Sequence, residues 1–340
     1  MKNKTVKALA ILLAAGTVTM MAPACVFAEE ETAAEENAEA TEEEGEEEED
    51  DAAEAEEHAA TGTAYEPAGE VYEPSVDASA PKDQAILVVS FGTSFNDNRK
   101  ATIGAVEDAI VTAYPEYDVR RAFTAQIIID KVKKYDDVII DNVGEALDRA
   151  AEDGVKTLIV QPTHLMNGLE YQDLVDELAE YSDAFEKIEI GAPLLTSDED
   201  FQTVADAIVN ATKDYDDGET AICFMGHGTE AESNAIYSKL QGVLKDNGYD
   251  NYFVGTVEAA PTLEDVLAAV GEGEYTKAVL QPLMVVAGDH AINDMAGDEE
   301  GTWKTEFEKA GYEVTCEIHG LGELEEVQKM YVEHVGAVLE

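Results

Sequence analysis

The chain has 340 residues, with 75 acidic against 21 basic side chains and a formal net charge of −54 with histidine neutral. So large an excess of carboxylates excludes nucleic acid as a partner, because a phosphate backbone needs a basic face. Three cysteines cannot build a disulfide framework.

The charge is unevenly spread. Residues 1–28 hold three lysines and no acid, and residues 29–81 hold 22 acids and no base. That leaves 53 acids and 18 bases, a net −35, from residue 82 onward. Residues 1–28 read as a secretory signal: Lys2, Lys4 and Lys7, an apolar run over 8–15, and Val26-Phe27-Ala28 at a cleavage site. The run is short for the ~30 Å of a bilayer core, so the protein is expected to be exported to the periplasm, the extracellular space or the cell surface. A lipid anchor at Cys25 is the alternative, although Ala22-Pro23-Ala24 fits an attachment box poorly. Any membrane association is expected only through these two features. Residues 29–82 are Glu- and Ala-rich at first, then punctuated by Pro67, Pro74 and Pro81. Self-repulsion and scarce apolar residues predict a disordered acidic linker.

From residue 83 strands and helices alternate. Residues 85–91 (AILVVSF) form a continuous apolar run, as in a strand buried on both faces. A helix follows over 99–113, then strands over 119–123, 156–160 and 187–191. The second set of strands falls at 221–225, 252–256, 277–280 and 313–318. Cys223 and Cys316 lie in two of these runs and are expected to be buried thiols. This order predicts an α/β fold with parallel sheets. The two sets also resemble each other: Ser90-Phe91-Gly92-Thr93 pairs with Gly226-His227-Gly228-Thr229, and Ile159-Val160-Gln161-Pro162 with Val279-Leu280-Gln281-Pro282. The first spacing is 136 residues and the second 120, so the first half carries about 16 extra residues, assigned to 133–142. Two tandem halves, 83–215 and 216–340, each with a four-stranded parallel sheet flanked by helices, would enclose a cleft between their strand ends.

The chemistry concentrates in the second half. Gly226-His227-Gly228 follows its first strand, Glu258 its second, and Gly288-Asp289-His290 its third. Two imidazoles and a carboxylate at strand ends on one side form a plausible divalent-metal site. The first half has no matching histidine or glutamate in its first two turns. His164 follows its third strand and either faces the cleft or stabilises a turn. Arg121 is placed to meet an anionic substrate or to serve as a plain surface charge. His319 and His334 read as structural or surface residues. No Walker motif, GxGxxG after a strand, or GxSxG elbow occurs.

Several segments carry a family resemblance: 87–95 (LVVSFGTSF), 121–124 (RAFT), 164–168 (HLMNG), 224–228 (FMGHG), 255–258 (GTVE), 282–296 (PLMVVAGDHAINDMA) and 320–323 (GLGE). Together they resemble the anaerobic sirohydrochlorin cobaltochelatases, of the class II tetrapyrrole chelatase superfamily, over about three quarters of the chain. The resemblance implies two flavodoxin-like halves and a tetrapyrrole cleft. It implies that His227, Glu258 and His290 bind the incoming metal, with His227 and His290 as proton acceptors. Ser90, Gly92, Thr93, Arg121, His164, Gly228 and Gly288 are then the candidates for substrate contact. The expected activity is Co2+ insertion into sirohydrochlorin for anaerobic cobalamin synthesis, with Ni2+ or Fe2+ as other metals and no organic cofactor. An exported carrier of metal or tetrapyrrole that lost turnover is the alternative. Whether the chain forms a homo-oligomer is left open.

Overall fold

The computed structural model describes residues 83–339; the expected signal (1–28) and acidic linker (29–82) lie outside the described residues. In chain order these are β1 (Gln84–Ser90), α1 (Asn96–Arg99), a π-helical turn (Lys100–Gly104) and α2 (Ala105–Ala113). Next come β2 (Asp118–Phe123), α3 (Gln126–Asp136), α4 (Val143–Glu152), β3 (Thr157–Pro162), α5 (Leu169–Glu180), β4 (Lys187–Ile190) and α6 (Asp198–Thr212). The second half has β5 (Thr220–Gly226), α7 (Ala235–Asp246), β6 (Tyr252–Thr256), α8 (Leu263–Val270) and β7 (Lys277–Pro282). A π-helical turn (Ala291–Met295), α9 (Trp303–Lys309), β8 (Glu313–Cys316) and α10 (Glu325–Leu339) follow. No helix among the described residues is long and apolar enough to cross a membrane.

The strands form two four-stranded sheets, ordered β2-β1-β3-β4 and β6-β5-β7-β8. Every pairing is parallel. This is the expected α/β architecture, and its cause is visible in the central strands. Alternate residues of β1 feed two different cores. Ala85, Leu87 and Val89 pack with Leu147 and Ala150 of α4 and Leu174 and Leu178 of α5. Ala221, Cys223 and Met225 of β5 likewise pack with Val266, Trp303 and Phe307.

The opposite faces belong to one continuous core. Ile86 and Val88 of the first sheet join Ile222 and Phe224 of the second through Val106, Ile110, Val204, Ile208, Leu240, Val327 and Tyr331. The expected boundary at 215/216 therefore separates the sheets but not the cores. The last helix makes the difference. α10 starts from the second half and packs against α2, α6 and β3 of the first. Tyr331 donates its hydroxyl to the Thr163 carbonyl at 2.8 Å, and Tyr114 donates to the Val332 carbonyl at 2.8 Å. His334 and His319, expected to be structural or surface residues, divide: His334 sits half-buried 3.3 Å from Asp200, and His319 is exposed, 2.8 Å from Glu323.

Three details differ from the sequence expectation. The extra segment of the first half is α3 itself, because two helices separate β2 from β3 where α8 alone separates β6 from β7. Residues 133–142 cover only the end of α3 and the loop after it. Its Ile129 and Val132 pack on Ile103, Phe123 and Ile140, so it is an added core element rather than a surface loop. Strands β3 and β7 run two residues further than expected, through Gln161-Pro162 and Gln281-Pro282. Their outer neighbours stop pairing at Val160 and Leu280, so neither proline faces an outer strand that needs its missing N–H. Of the two cysteines among the described residues, Cys223 is fully buried and Cys316, at the end of edge strand β8, is half-buried.

The α10 strap gives a direct test. Tyr331→Phe leaves the buried Thr163 carbonyl without its donor. The unfolding free energy should fall by about 1–3 kcal/mol, read as a lower urea midpoint at unchanged slope.

Candidate metal centre

The site is assembled at the carboxyl ends of β5, β6 and β7. Gly226 ends β5 with its Cα against the Tyr237 ring, where a Cβ would fall 2.2 Å from a ring carbon. His227 follows, and Gly228 turns the chain with φ +99°. A side chain there would be strained, and its Cβ would lie 2.8 Å from the Ala259 nitrogen. The turn is held by the His227 carbonyl, which accepts the N–H groups of Val257 at 3.0 Å and Glu258 at 2.9 Å. One backbone oxygen thus fixes two candidate ligands relative to each other. The third, His290, ends the loop after β7 and directly precedes the π-helical turn Ala291–Met295.

The three side chains converge. The His227 Nε2 lies 3.3 Å from Glu258 Oε1, and the two imidazole rings are 4.7 Å apart at 82°. One ligand atom from each of His227, Glu258 and His290 lies within 4.8 Å of the others. The side chains are 34, 36 and 26 % exposed, so an ion can reach them from solvent.

Both tautomers follow from partner chemistry. The His227 Nδ1 lies 2.9 Å from the Gly228 carbonyl, which can only accept, so Nδ1 carries the proton. The His227 Nε2 faces the Glu258 carboxylate at 3.3 Å, a pair that a proton or a metal cation can bridge. His290 Nδ1 lies 2.7 Å from Asp294 Oδ2, which likewise leaves Nε2 free to coordinate. Burial depresses the His290 pKa, but the hydrogen bond and charge of Asp294, with Glu258 and Asp289, outweigh it and raise it overall. Two nitrogens and one oxygen from protein, with further positions open, suit a borderline divalent ion such as Co2+, Ni2+, Fe2+ or Zn2+.

The other expected contacts divide into two groups. Gly92, Thr93, Gly228 and Gly288 shape the loops at this edge. Gly92 has φ +109°, and Thr93 is buried where the halves meet, its Oγ1 3.6 Å from where a Cβ on Gly288 would sit. Asn98 also crosses between halves, its Oδ1 accepting the Ala287 N–H at 3.0 Å. Ser90, Arg121 and His164, expected among the substrate contacts, are buried, with Ser90 and Arg121 turned toward partners inside the fold. The Ser90 hydroxyl is buried in a 2.8 Å bond with Thr163 Oγ1. Arg121 is 6 % exposed and forms a fork with the buried Glu107, since a charge on a half-buried strand needs an internal partner. His164 is buried with no hydrogen bond to either ring nitrogen, and its Nε2 stays 3.5 Å from Glu170. Burial pushes its pKa down to about 4.

Sequence reasoning missed Asp294, Asn98 and Tyr237. Asp294 was detectable, standing four residues after His290 in a segment already singled out. Tyr237, whose hydroxyl lies 3.3 Å from the Gly228 nitrogen, carries no local signal. A shallow pocket lined by Asp214, Asp217, Lys277 and Glu313 lies at the opposite, amino-terminal edge of the second sheet and brings no catalytic set together.

Residues 84–340 match the family model described as Cobalt chelatase (CbiK). The sirohydrochlorin cobaltochelatase of Salmonella typhimurium is 35% identical over 256 residues, covering 75% of this chain and 96% of that protein. The sirohydrochlorin cobaltochelatase CbiKC of Nitratidesulfovibrio vulgaris is 28% identical over 262 residues, covering 75% of this chain and 90% of that protein. Among solved structures, SirB from Bacillus subtilis with Fe3+ has the same fold. It gives a TM-score of 0.54 at 12% identity over 74% of this chain and 94% of that one.

Two measurements follow. Asp294→Asn removes the charge that orients His290; Co2+ affinity by calorimetry should fall about tenfold to a hundredfold, and the His290 ring should titrate at lower pH by NMR. His164 gives a pH signature. Its pKa is about 4 folded against 6.5 unfolded, so between these values the unfolded chain binds the extra proton. Stability should therefore fall as pH drops through that window, by about 3 kcal/mol in all. His164→Gln should flatten that part of the denaturation profile.

Proposed function

The chain belongs to the cobalt chelatase family, and from that premise we propose that it inserts Co2+ into sirohydrochlorin, as a lyase-class metal chelatase. The observation that carries this reading is the convergence of His227, Glu258 and His290 within 4.8 Å on one sheet edge.

The reaction exchanges two pyrrole N–H protons for one divalent ion. Co2+ is substrate here, gathered by His227 Nε2, His290 Nε2 and the Glu258 carboxylate, with solvent in its remaining positions. Macrocycle nitrogens replace that solvent first, then the protein ligands. As each imidazole releases the ion its Nε2 lone pair becomes available, so His227 and His290 take one proton each. The balance closes with Co2+ and the free macrocycle giving the metallated macrocycle and two protons. Asp294 supports the step at His290 by stabilising the imidazolium it becomes. Neither oxidation nor group transfer occurs, so no organic cofactor enters the scheme. Ni2+ and Fe2+ suit the same donors, and competition assays would rank them against Co2+.

The leader-like residues 1–28 support action outside the cytoplasm. In that compartment a carrier that holds metal or tetrapyrrole stoichiometrically is the competing reading. The intact triad, with the acceptor nitrogens already oriented, favours turnover.

Absorption spectroscopy of sirohydrochlorin with Co2+ and sub-stoichiometric protein separates the two. Multiple turnovers are expected, with His227→Ala and His290→Ala each lowering kcat by about a hundredfold or more. Rates unchanged in both variants would end the assignment, and a change limited to one equivalent would favour the carrier.

A further inference from the structure

The two halves share turn geometry as well as topology. In the second half the His227 carbonyl accepts the Glu258 N–H at 2.9 Å; in the first, the Phe91 carbonyl accepts the Ala125 N–H at 3.2 Å. The glycines that follow, Gly228 and Gly92, both have positive φ, +99° and +109°. The Leu283 N–H bonds to Met225 as the Thr163 N–H bonds to Val89. Counting onward from these equivalences, Phe91 stands where His227 stands, Ala125 where Glu258 stands, and Leu169-Glu170 where Asp289-His290 stands. The first half has kept the frame of the site and lacks its imidazoles.

Exposed apolar side chains lie on the same frame. The exposed large hydrophobic residues among the described residues are Phe91, Tyr135, Ile139, Leu169 and Ile292. Phe91, 38 % exposed, lies in the loop after β1, Leu169, 50 % exposed, opens α5 after β3, and Ile292 is two residues beyond His290. These loops are joined across the halves. The Phe91 loop meets the His290 loop at Thr93 and Gly288. The start of α5 meets the segment after His227 at Gly168 and Ser233, where a Cβ on Gly168 would sit 3.6 Å from the serine hydroxyl. The charge near this frame is poorly suited to grip an octacarboxylate ligand. Residues 82–340 carry a net −35, Arg121 is taken up by Glu107, and Arg99 is buried against the Thr93 carbonyl, Asn96 and Asp136. A flat, largely apolar ring face is instead suited to contact with an aromatic and an aliphatic side chain.

We propose that Phe91, assisted by Leu169, forms an apolar wall facing the metal triad, against which one face of the tetrapyrrole rests while the ion is delivered to the other. This rests on the chelatase reading above. The wall fixes the ring plane and the triad supplies ion and proton acceptors, so each half of the duplicated fold serves one face of a planar substrate.

The test measures, for the full chain and its variants, steady-state KM and kcat for sirohydrochlorin and, separately, calorimetric affinity for Co2+ alone. Phe91→Ala should raise KM about tenfold, Phe91→Ala with Leu169→Ala further, and Co2+ affinity should stay within twofold. Phe91→Trp should return KM to within about threefold of the parent, which a merely structural role would not predict. The Co2+ titration also reports that each variant is folded; if it is lost in Phe91→Ala, Phe91→Leu carries the same comparison. KM unchanged within twofold in the alanine variants of an active parent overturns the wall alone. A parent that never metallates sirohydrochlorin overturns the chelatase reading, and the wall with it.

Discussion

One carbonyl oxygen organises the site. The His227 C=O accepts two backbone N–H groups from the turn after β6, and so locks a candidate ligand just after β5 to one just after β6 without any side chain taking part. The lock needs the chain to reverse directly after His227, and Gly228 permits this because it has positive φ and packs where a Cβ would overlap the Ala259 nitrogen. With backbone holding the frame, both imidazoles keep their Nε2 atoms for an incoming ion, and their Nδ1 atoms are used for orientation. Preorganisation of this kind is what a transfer site needs. The ion must be held firmly enough to be captured and loosely enough to be handed on, and ligands on rigid strand ends set both limits.

The duplicated fold is used unequally. The same turn appears at Phe91 and Gly92, but an aromatic side chain replaces the imidazole there and Ala125 replaces the carboxylate. Two identical metal sites facing each other would compete for one ion and leave no surface for the ring. Unequal halves must hold a fixed spacing, and the shared core supplies it. Ile86 and Val88 of one sheet and Ile222 and Phe224 of the other pack into a single apolar body, and α10 closes it from the second half onto the first. The Ala287 N–H, donated to Asn98 Oδ1, fastens the loops that flank the site.

The charge distribution separates two tasks. The candidate site already contains Glu258, and Asp289 and Asp294 lie beside His290, so its local charge favours a divalent cation. Two of the four arginines are engaged inside the fold, Arg121 with Glu107 and Arg99 beneath the Thr93 loop, while Arg149 pairs with Asp141 at the surface. Buried charges of this kind require partners, which explains why a basic residue on a strand that points toward the substrate edge does not face it.

The sequence by itself determined the sheets, because continuous apolar runs such as AILVVSF form strands only when both faces are covered. It also singled out the candidate ligands His227, Glu258 and His290, because each follows a strand on one side of a parallel sheet, and the structure brings one ligand atom from each within 4.8 Å of the others. It left open the position of the first half's extra residues, since spacing between motifs brackets an insertion without showing that α3 is a packed helix. Only the tertiary structure decided which polar residues face inward. Ser90, Arg121 and His164 occupy the same kinds of local pattern as the true edge residues, and their direction depends on Thr163, Glu107 and the core around them, which are distant in sequence. The return of α10 to the first half was likewise undetermined, since an amphipathic helix specifies that its apolar face must be covered but not by which partner.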